Sequence, residues 1–143
     1  MMDNARYQME LQAFNRMGMP SGIYRFFNLG TPEANVVMAV RTRRGNIYTL
    51  HVELAGFPEA VPPVYVKQML RDKDGDPMND CSAEMHTLTS KNNWTRICHY
   101  GYDSWSPAVS LFKVYVKVCL WLEMYEQHLK TGKPIDYYLC HQQ

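Results

Sequence analysis

The spacing of hydrophobic and polar positions changes early in the chain. In the first segment, apolar residues recur at near-helical spacing: Ala5, Met9, Ala13 and Phe14. Asp3 or Asn4 can cap the first turn, and a glycine and a proline stop the pattern. We therefore expect an amphipathic helix over residues 3–16 that covers a sheet, with Arg6 and Arg16 exposed.

The next part of the chain consists of short runs rich in β-branched and aromatic residues. Four such runs are separated by turn residues: Ile23 to Leu29, Asn35 to Arg43, Ile47 to Leu54 and Val64 to Leu70. Arg44-Gly45-Asn46 is a good hairpin turn, because glycine and asparagine adopt positive φ at low cost. Before the fourth run, three prolines and a glycine forbid a helix and force an extended crossing. The pattern predicts a four-stranded antiparallel meander.

The second half is organised around the stretch from His86 to Leu111. An irregular polar run from His86 ends at Ile97-Cys98, and Trp105-Ser106-Pro107-Ala108 is expected to start a long amphipathic helix. Pro107 suits the first turn of that helix, with Ser106 or Ser104 as its cap. The helical spacing continues to His128 or Leu129, and we expect His128 to be exposed. The short tail that follows has room for one more helical turn.

Length and charge narrow the classes of function. The chain has 143 residues and a formal net charge of +1, which predicts one compact domain over residues 1–143. So small a net charge does not favour nucleic acid or an anionic membrane as a partner. The start lacks the features of a signal peptide, and no apolar stretch reaches roughly 18 residues. We expect a soluble, cytoplasmic protein.

The cysteines indicate free thiols. Four of them lie far apart without metal-ligand spacing: Cys81, Cys98, Cys119 and Cys140. Neither a zinc site nor a disulfide framework is expected, and no cofactor is implied. Asp72, Asp74 and Asp76 resemble the start of a calcium loop, but the flanking sequence lacks the helical pair of such loops, so we expect no metal there.

Cys98 is the candidate nucleophile. It ends a polar segment that reagents can reach, whereas Cys119 lies within the apolar helix. A thiolate is both a strong nucleophile and a good leaving group, as an acyl carrier requires. His86 is expected to support the loop through the backbone, and the neighbouring His99 could act as a base. Trp105 is expected to anchor the thiol loop against the long helix.

In its order of elements and motifs, the chain resembles the ubiquitin-conjugating (E2) superfamily. The motifs are Gly56-Phe57-Pro58 followed by Pro62-Pro63-Val64, His86 at the head of the cysteine loop, and Ile97-Cys98 followed by Asp103-Ser104-Trp105-Ser106-Pro107-Ala108. The resemblance implies an α+β, UBC (E2-like) fold. It also implies that Cys98 carries a ubiquitin-like protein as a thioester, and that Asp103 orients or desolvates the incoming amine.

One motif departs from the family pattern. His86-Thr87-Leu88 stands where relatives have His-Pro-Asn, and the gap from His86 to Cys98 is longer than usual. The asparagine that supports the loop or the oxyanion in relatives is therefore missing from its position. Other side chains in the loop could supply a donor instead, and the sequence leaves open which one: Thr89, Ser90, Asn92 or Asn93.

The short C-terminal region indicates which members of the superfamily the chain resembles most. It is similar to compact bacterial E2-like proteins of antiviral defence islands, including cyclic-oligonucleotide (CBASS) operons. The implied partners are an E1-like activating enzyme and a ubiquitin-like protein, or a CD-NTase-type nucleotidyltransferase. Two alternatives stay open: a non-catalytic E2-like binding partner or regulator, which could form a Cys98 disulfide, and a Cys-His hydrolase using His86 or His99.

Overall fold

The computed structural model describes residues 1–141 and has an α+β architecture. Its helices are α1 (Asn4–Arg16), α2 (Leu111–Thr131) and α3 (Ile135–His141), and its strands are β1 (Tyr24–Phe27), β2 (Asn35–Arg41), β3 (Ile47–Glu53), β4 (Val64–Val66), β5 (Thr87–Lys91) and β6 (Trp94–Ile97). The strands form one sheet in the order β1-β2-β3-β4-β6-β5, with every neighbouring pair antiparallel. The expected opening helix, antiparallel meander and long helix are present.

Strands β2 and β3 place alternate residues in the core, namely Val36, Met38, Val40, Tyr48, Leu50 and Val52. On β4, Val64 and Val66 belong to the same core, and Tyr65 between them is also buried. Arg41 pairs with Ile47 across the turn that contains Gly45, whose φ of 86° is the positive value expected there. The proline-rich crossing then leads into β4 beside β3. Successive side chains of a strand point to opposite faces of the sheet, so the apolar residues at every second position determine which face covers the core.

The sheet continues beyond the four predicted strands. The region between His86 and Cys98, expected to be irregular, forms the β5–β6 hairpin and adds two strands beside β4. Asn92 and Asn93 lie at its tip with φ of 56° and 58°, as a two-residue turn with two left-handed positions requires. The expectation of an irregular loop and a sheet of four strands was wrong, because asparagine supplies this turn without glycine.

The long helix starts later than the sequence pattern predicted. It begins at Leu111, with the Ser110 side chain accepting from the Lys113 amide, so Trp105 to Ala108 precede the helix. The Ser106 side chain instead accepts from the Ala108 amide and closes a local turn. At the other end, Gly132 has a φ of 79° and stops the helix.

A buried ion pair links α1 to the start of α2. Glu10 accepts from Arg6 Nε at 2.7 Å and from the Leu111 amide at 2.6 Å. Arg6 also donates to the carbonyls of Pro107 and Val109. Its side chain is only 16% exposed, so the expectation that Arg6 lies free on the surface was wrong. The carboxylate occupies the N-terminus of α2, where the helix dipole favours negative charge.

A second buried polar site holds the far end of α2. His128 is 3% exposed and not on the surface as expected. Its Nε2 accepts from the Lys73 amide at 3.1 Å, and its Nδ1 donates to the Lys133 carbonyl at 2.8 Å. The imidazole thus joins the turn before β5 to the segment between α2 and α3. Among residues 1–141, no helix combines the length and apolarity needed to cross a membrane.

Candidate thiol site

Cys98 lies directly after β6, where the sheet fixes its backbone. The Cys98 amide donates to the His86 carbonyl at 2.9 Å, and the preceding residue, Ile97, is 1% exposed. Its side chain is partly buried and lines a cavity of about 550 Å³. The nucleophile predicted from the sequence is therefore a thiol at the wall of a cavity.

The cavity lies between the proline-rich crossing and the segment that carries the thiol. Its lining residues are Glu59, Ala60, Val61, Pro62, Pro63, Leu88, Arg96, Ile97, Cys98, His99, Tyr100, Gly101, Trp105 and Pro107. Leu88 on β5 is paired with Arg96 on β6, so the hairpin supplies one wall. Most of these side chains are apolar, and Arg96 brings a positive charge into the same lining.

Trp105 holds the thiol segment against the proline-rich crossing. Its indole Nε1 donates to the Pro58 carbonyl at 3.0 Å. Its ring meets Tyr100 edge-on at 5.4 Å between centroids and contacts Phe57 at 6.1 Å. The residue is an anchor, as expected, but these contacts are to the crossing and to Tyr100.

His99, next to the thiol, is a neutral imidazole. Burial lowers its pKa to about 4, a hydrogen bond to Pro62 opposes that shift, and the positive charges of Lys117 and Arg96 add to it. Its Nε2 donates to the Pro62 carbonyl at 2.9 Å, because a carbonyl can only accept. Nδ1 is buried and has no partner among the described residues. A neutral ring provides no imidazolium to stabilise a thiolate at Cys98.

Arg96 is the second polar group of the cavity wall. Its guanidinium faces the ring of Tyr65, with 5.8 Å from Cζ to the centroid. Its Nε is buried and, within residues 1–141, is left without a hydrogen-bond acceptor. Arg96 was not among the site residues expected from the sequence. The available signal was the spacing: Trp94, Arg96 and Cys98 are two residues apart, so in a strand their side chains lie on the same face.

His86 supports the loop through its backbone, and its side chain is engaged elsewhere. Its φ of 51° lies in the left-handed region, and Nε2 is 2.8 Å from Asp136 Oδ1 on α3. In the described part of the chain, no hydrogen bond joins this ring to the Cys98 thiol. The oriented His86–Asp136 pair therefore lacks the contact with the thiol that a Cys-His hydrolase needs.

Asp103 and the candidate amide donors lie outside the cavity wall. Asp103 is exposed in a short 3₁₀ turn (Tyr102–Ser104), two residues after Gly101, which does line the cavity. Asn92 and Asn93 are exposed at the hairpin tip, at the opposite end of β6 from Cys98. Leu88, at the motif position of the missing asparagine, contributes an apolar side chain to the wall.

The other described thiols have different surroundings. Burial raises the pKa of Cys119 to about 11, so its thiolate is scarce near neutral pH. Cys81 is exposed. The side chain of Cys140 lies outside the described residues. Cys98 combines partial exposure with an apolar cavity, as a thiol that receives a specific ligand requires.

The acidic turn before β5 brings three carboxylates together. Oxygens of Asp72, Asp74 and Asp76 lie within 4.8 Å of one another. Asp72 Oδ1 also accepts from the amides of Asp74 and Asp76, so its carboxylate closes the turn itself. This is the usual chemistry of an aspartate-rich turn.

Comparisons of the chain with known protein families, with curated proteins and with solved structures find no match.

Proposed function

We propose that the chain is an E2-like conjugating protein that carries a ubiquitin-like protein as a thioester on Cys98. One observation supports it most: Cys98 lines an apolar cavity walled by the proline-rich crossing. The order of helix, meander, crossing, thiol segment and long helix is the order expected of a UBC fold. The β5–β6 hairpin would be this chain's own addition to that plan.

The proposed reaction has two transfers. The Cys98 thiolate attacks the thioester carbonyl of a charged activating enzyme, whose own thiolate leaves as the new thioester forms. A target amine then attacks the Cys98 thioester and loses a proton, and the Cys98 thiolate leaves as the amide forms. A cysteine serves both steps because it is nucleophile first and leaving group second.

Other residues take supporting roles in this proposal. Arg96 lines the same cavity as Cys98, where its positive charge would stabilise the oxyanion of the reacting carbonyl. His86 fixes the Cys98 backbone through its carbonyl. Asp103, exposed beside the cavity, would orient the incoming amine and accept its proton.

The proposed setting is bacterial antiphage defence in the cytoplasm. In that setting the donor is a ubiquitin-like protein charged by an E1-like activating enzyme, and the target amine belongs to a partner such as a CD-NTase-type nucleotidyltransferase. The neighbouring genes are the first test of these partners.

The charging experiment tests the thioester directly. The chain is incubated with ATP and with the activating enzyme and ubiquitin-like protein encoded beside it, and the products are separated without reductant. We expect an adduct that a thiol reductant releases. Cys98→Ala abolishes it, and Cys98→Ser gives an oxygen ester that resists the reductant but yields to base.

Cys81→Ala is the matched control, because it removes the exposed thiol and leaves the cavity unchanged. It must charge as well as the unaltered chain. An adduct that persists in Cys98→Ala, or no adduct with partners shown to be active together, would overturn the proposal.

A second candidate function is a non-catalytic E2-like binding partner of a nucleotidyltransferase. The apolar Leu88 at the position of the missing amide favours it, because that position lacks a side-chain donor for the oxyanion. This function predicts complex formation of equal affinity with the unaltered chain and Cys98→Ala. If a Cys98 disulfide holds the partner, the complex instead appears only on non-reducing gels and is lost in Cys98→Ala.

A further inference from the structure

The face of the sheet opposite the core carries an excess of positive charge. Residues that pair across antiparallel strands lie on the same face of a sheet. The register aligns one such row across β1, β2, β3, β4 and β6: Arg25, Val37, His51, Tyr65 and Arg96. Their neighbours along the strands, such as Val36 and Val52, are buried in the core. The row therefore lies on the other side of the sheet, which we call the open face.

The open face has five cations and one carboxylate. The cations are Arg25, Arg41, Lys67, Lys91 and Arg96, and the carboxylate is Glu53. This excess of four positive charges compares with +1 for the whole chain, so the remaining residues carry a net charge of −3. The net charge alone gave no indication of this separation, because it sums over all faces of the molecule.

Most of these cations lack a carboxylate partner. Glu53 Oε2 lies 2.5 Å from Lys91 Nζ. Among residues 1–141, no carboxylate lies within 4 Å of the other four cations. Three of those four, Arg25, Arg41 and Lys67, are exposed. A partner that carries several negative charges can therefore reach them.

Aromatic rings lie beside the exposed cations. Lys67 Nζ is 5.5 Å from the ring centroid of Trp94, which is partly exposed. Arg25 Cζ is 5.1 Å from the ring centroid of Phe27, which is 37% exposed. Trp94 on β6 and Phe27 on β1 are four strand spacings apart, roughly 19 Å. His51 on β3, between those strands, has its ring 5.2 Å from that of Trp94.

A single-stranded nucleic acid has both complementary features. Its phosphates are attracted to cations, and its unpaired bases can stack on exposed rings. A duplex keeps its bases within its own stack, and an acidic peptide brings carboxylates without bases. A sheet face with aromatic side chains is one of the platforms on which proteins bind single strands.

We propose that the open face binds single-stranded nucleic acid, which crosses the sheet from Trp94 to Phe27 with its phosphates beside Lys67 and Arg25. Bases stack on the two rings at the ends of the crossing. The site does not depend on transfer at Cys98, and it requires no activating enzyme.

Fluorescence anisotropy with labelled probes tests the proposal on the unaltered chain. The probes are a single strand of about twelve thymidines, a duplex of the same length and a polyglutamate of similar charge. We expect the single strand to bind at least about tenfold more tightly than the other two in the same buffer. Its log K should fall against log salt with a slope of about −2, as contacts with about three phosphates require.

Two variants separate charge from stacking. Lys67→Gln should reduce the magnitude of the salt slope by about 0.7, and the exposure of Lys67 means that the fold is not at risk. Trp94→Leu should weaken single-strand binding about tenfold and leave the slope unchanged. Lys130→Gln removes the same charge from the last turn of α2 and is the matched control, which should change the affinity less than about twofold.

Equal affinity for the three probes would overturn the proposal, because attraction of any polyanion would then explain the binding. The absence of single-strand binding at low salt would overturn it too. Equal losses of affinity in Lys67→Gln and Lys130→Gln, or an unchanged affinity in Trp94→Leu, would exclude the open face as the site.

Discussion

Two histidines in the second half of the chain, His128 and His99, differ in how many of their ring nitrogens are hydrogen-bonded. His128 uses both ring nitrogens, accepting from the Lys73 amide and donating to the Lys133 carbonyl. His99 uses one, donating to the Pro62 carbonyl, while its Nδ1 stays buried without a described partner. The His128 side chain is 3% exposed, whereas His99 is partly buried and only its Nδ1 is removed from solvent.

The difference distinguishes a group that stabilises the fold fully from one that does so only in part. A buried polar group with all its partners holds segments together, as His128 does for the turn at Lys73 and the segment at Lys133. A buried polar atom without a hydrogen-bond partner contributes less to stability, because no hydrogen bond within the chain offsets the free-energy cost of removing it from water. His99 is one of the residues that line the cavity beside Cys98. Three measurements test this contrast.

The largest effect is expected at the Arg6–Glu10 pair, which is paired as fully as His128. Arg6→Met leaves the Glu10 carboxylate buried without its charge partner, and the carbonyls of Pro107 and Val109 lose a donor. We expect the free energy of unfolding in urea to fall by about 3–5 kcal/mol. Arg16→Met, on the exposed part of the same helix, is the control and should change it by less than about 0.5 kcal/mol. Equal losses of unfolding free energy in Arg6→Met and Arg16→Met would contradict a stabilising role of the Arg6–Glu10 pair.

The next effect is a pH dependence that belongs to His99. Its pKa is lowered from 6.5 to about 4 in the folded chain, so below pH 6.5 the unfolded chain binds a proton that the folded chain does not. The contribution of His99 to stability is therefore present above pH 6.5 and is lost as the pH falls toward about 4, by about 3 kcal/mol in total. Relative to His99→Phe, the unaltered chain should lose about 3 kcal/mol of unfolding free energy between pH 6.5 and about 4, so the difference between the two chains is constant above pH 6.5 and changes sign within that window. Parallel curves would contradict the buried, neutral ring.

The smallest effect compares the two histidines directly near neutral pH. His128→Phe removes two hydrogen bonds and leaves the Lys73 amide and the Lys133 carbonyl unsatisfied, for an expected loss of about 2–3 kcal/mol. His99→Phe also removes a hydrogen bond but eliminates the unpaired Nδ1, so its expected loss is about 1 kcal/mol or less. Urea unfolding measures both variants. A greater loss in His99→Phe would reverse the assignment of the two roles.

Local pattern was sufficient for much of the fold. The period of two across residues 35–54 and the proline-rich crossing determine strands that pair with their neighbours in the chain, and the structure has this meander. Pattern failed where tertiary contacts decide. The helix α2 starts at Leu111, whose amide donates a hydrogen bond to the carboxylate of Glu10, a residue distant in sequence. The β5–β6 turn was missed because asparagine, unlike glycine, is an ambiguous turn signal.

The candidate site could be predicted only by residue type. Sequence reasoning selected Cys98, and the structure places it at a cavity. It assigned a supporting role to His86, but nothing in the sequence indicated that the ring would pair with Asp136 on the last helix. The neutral state of His99 depends on its burial and on the Pro62 carbonyl, neither of which is visible in adjacent letters. The residue type was enough to select Cys98 as the candidate nucleophile, but only the three-dimensional structure shows which groups surround it.

The reach of Arg6 also has a consequence for how the protein is made. Its acceptors, the carbonyls of Pro107 and Val109, lie 101 and 103 residues later in the chain. A ribosome releases α1 first, and the first four strands can pair locally behind it, but Arg6 cannot make these two contacts until most of the chain has been synthesised. The segment that follows the thiol is therefore fixed among the last parts of the molecule. A ribosome stalled before residue 107 would carry a paired meander in which Arg6 still lacks these two acceptors.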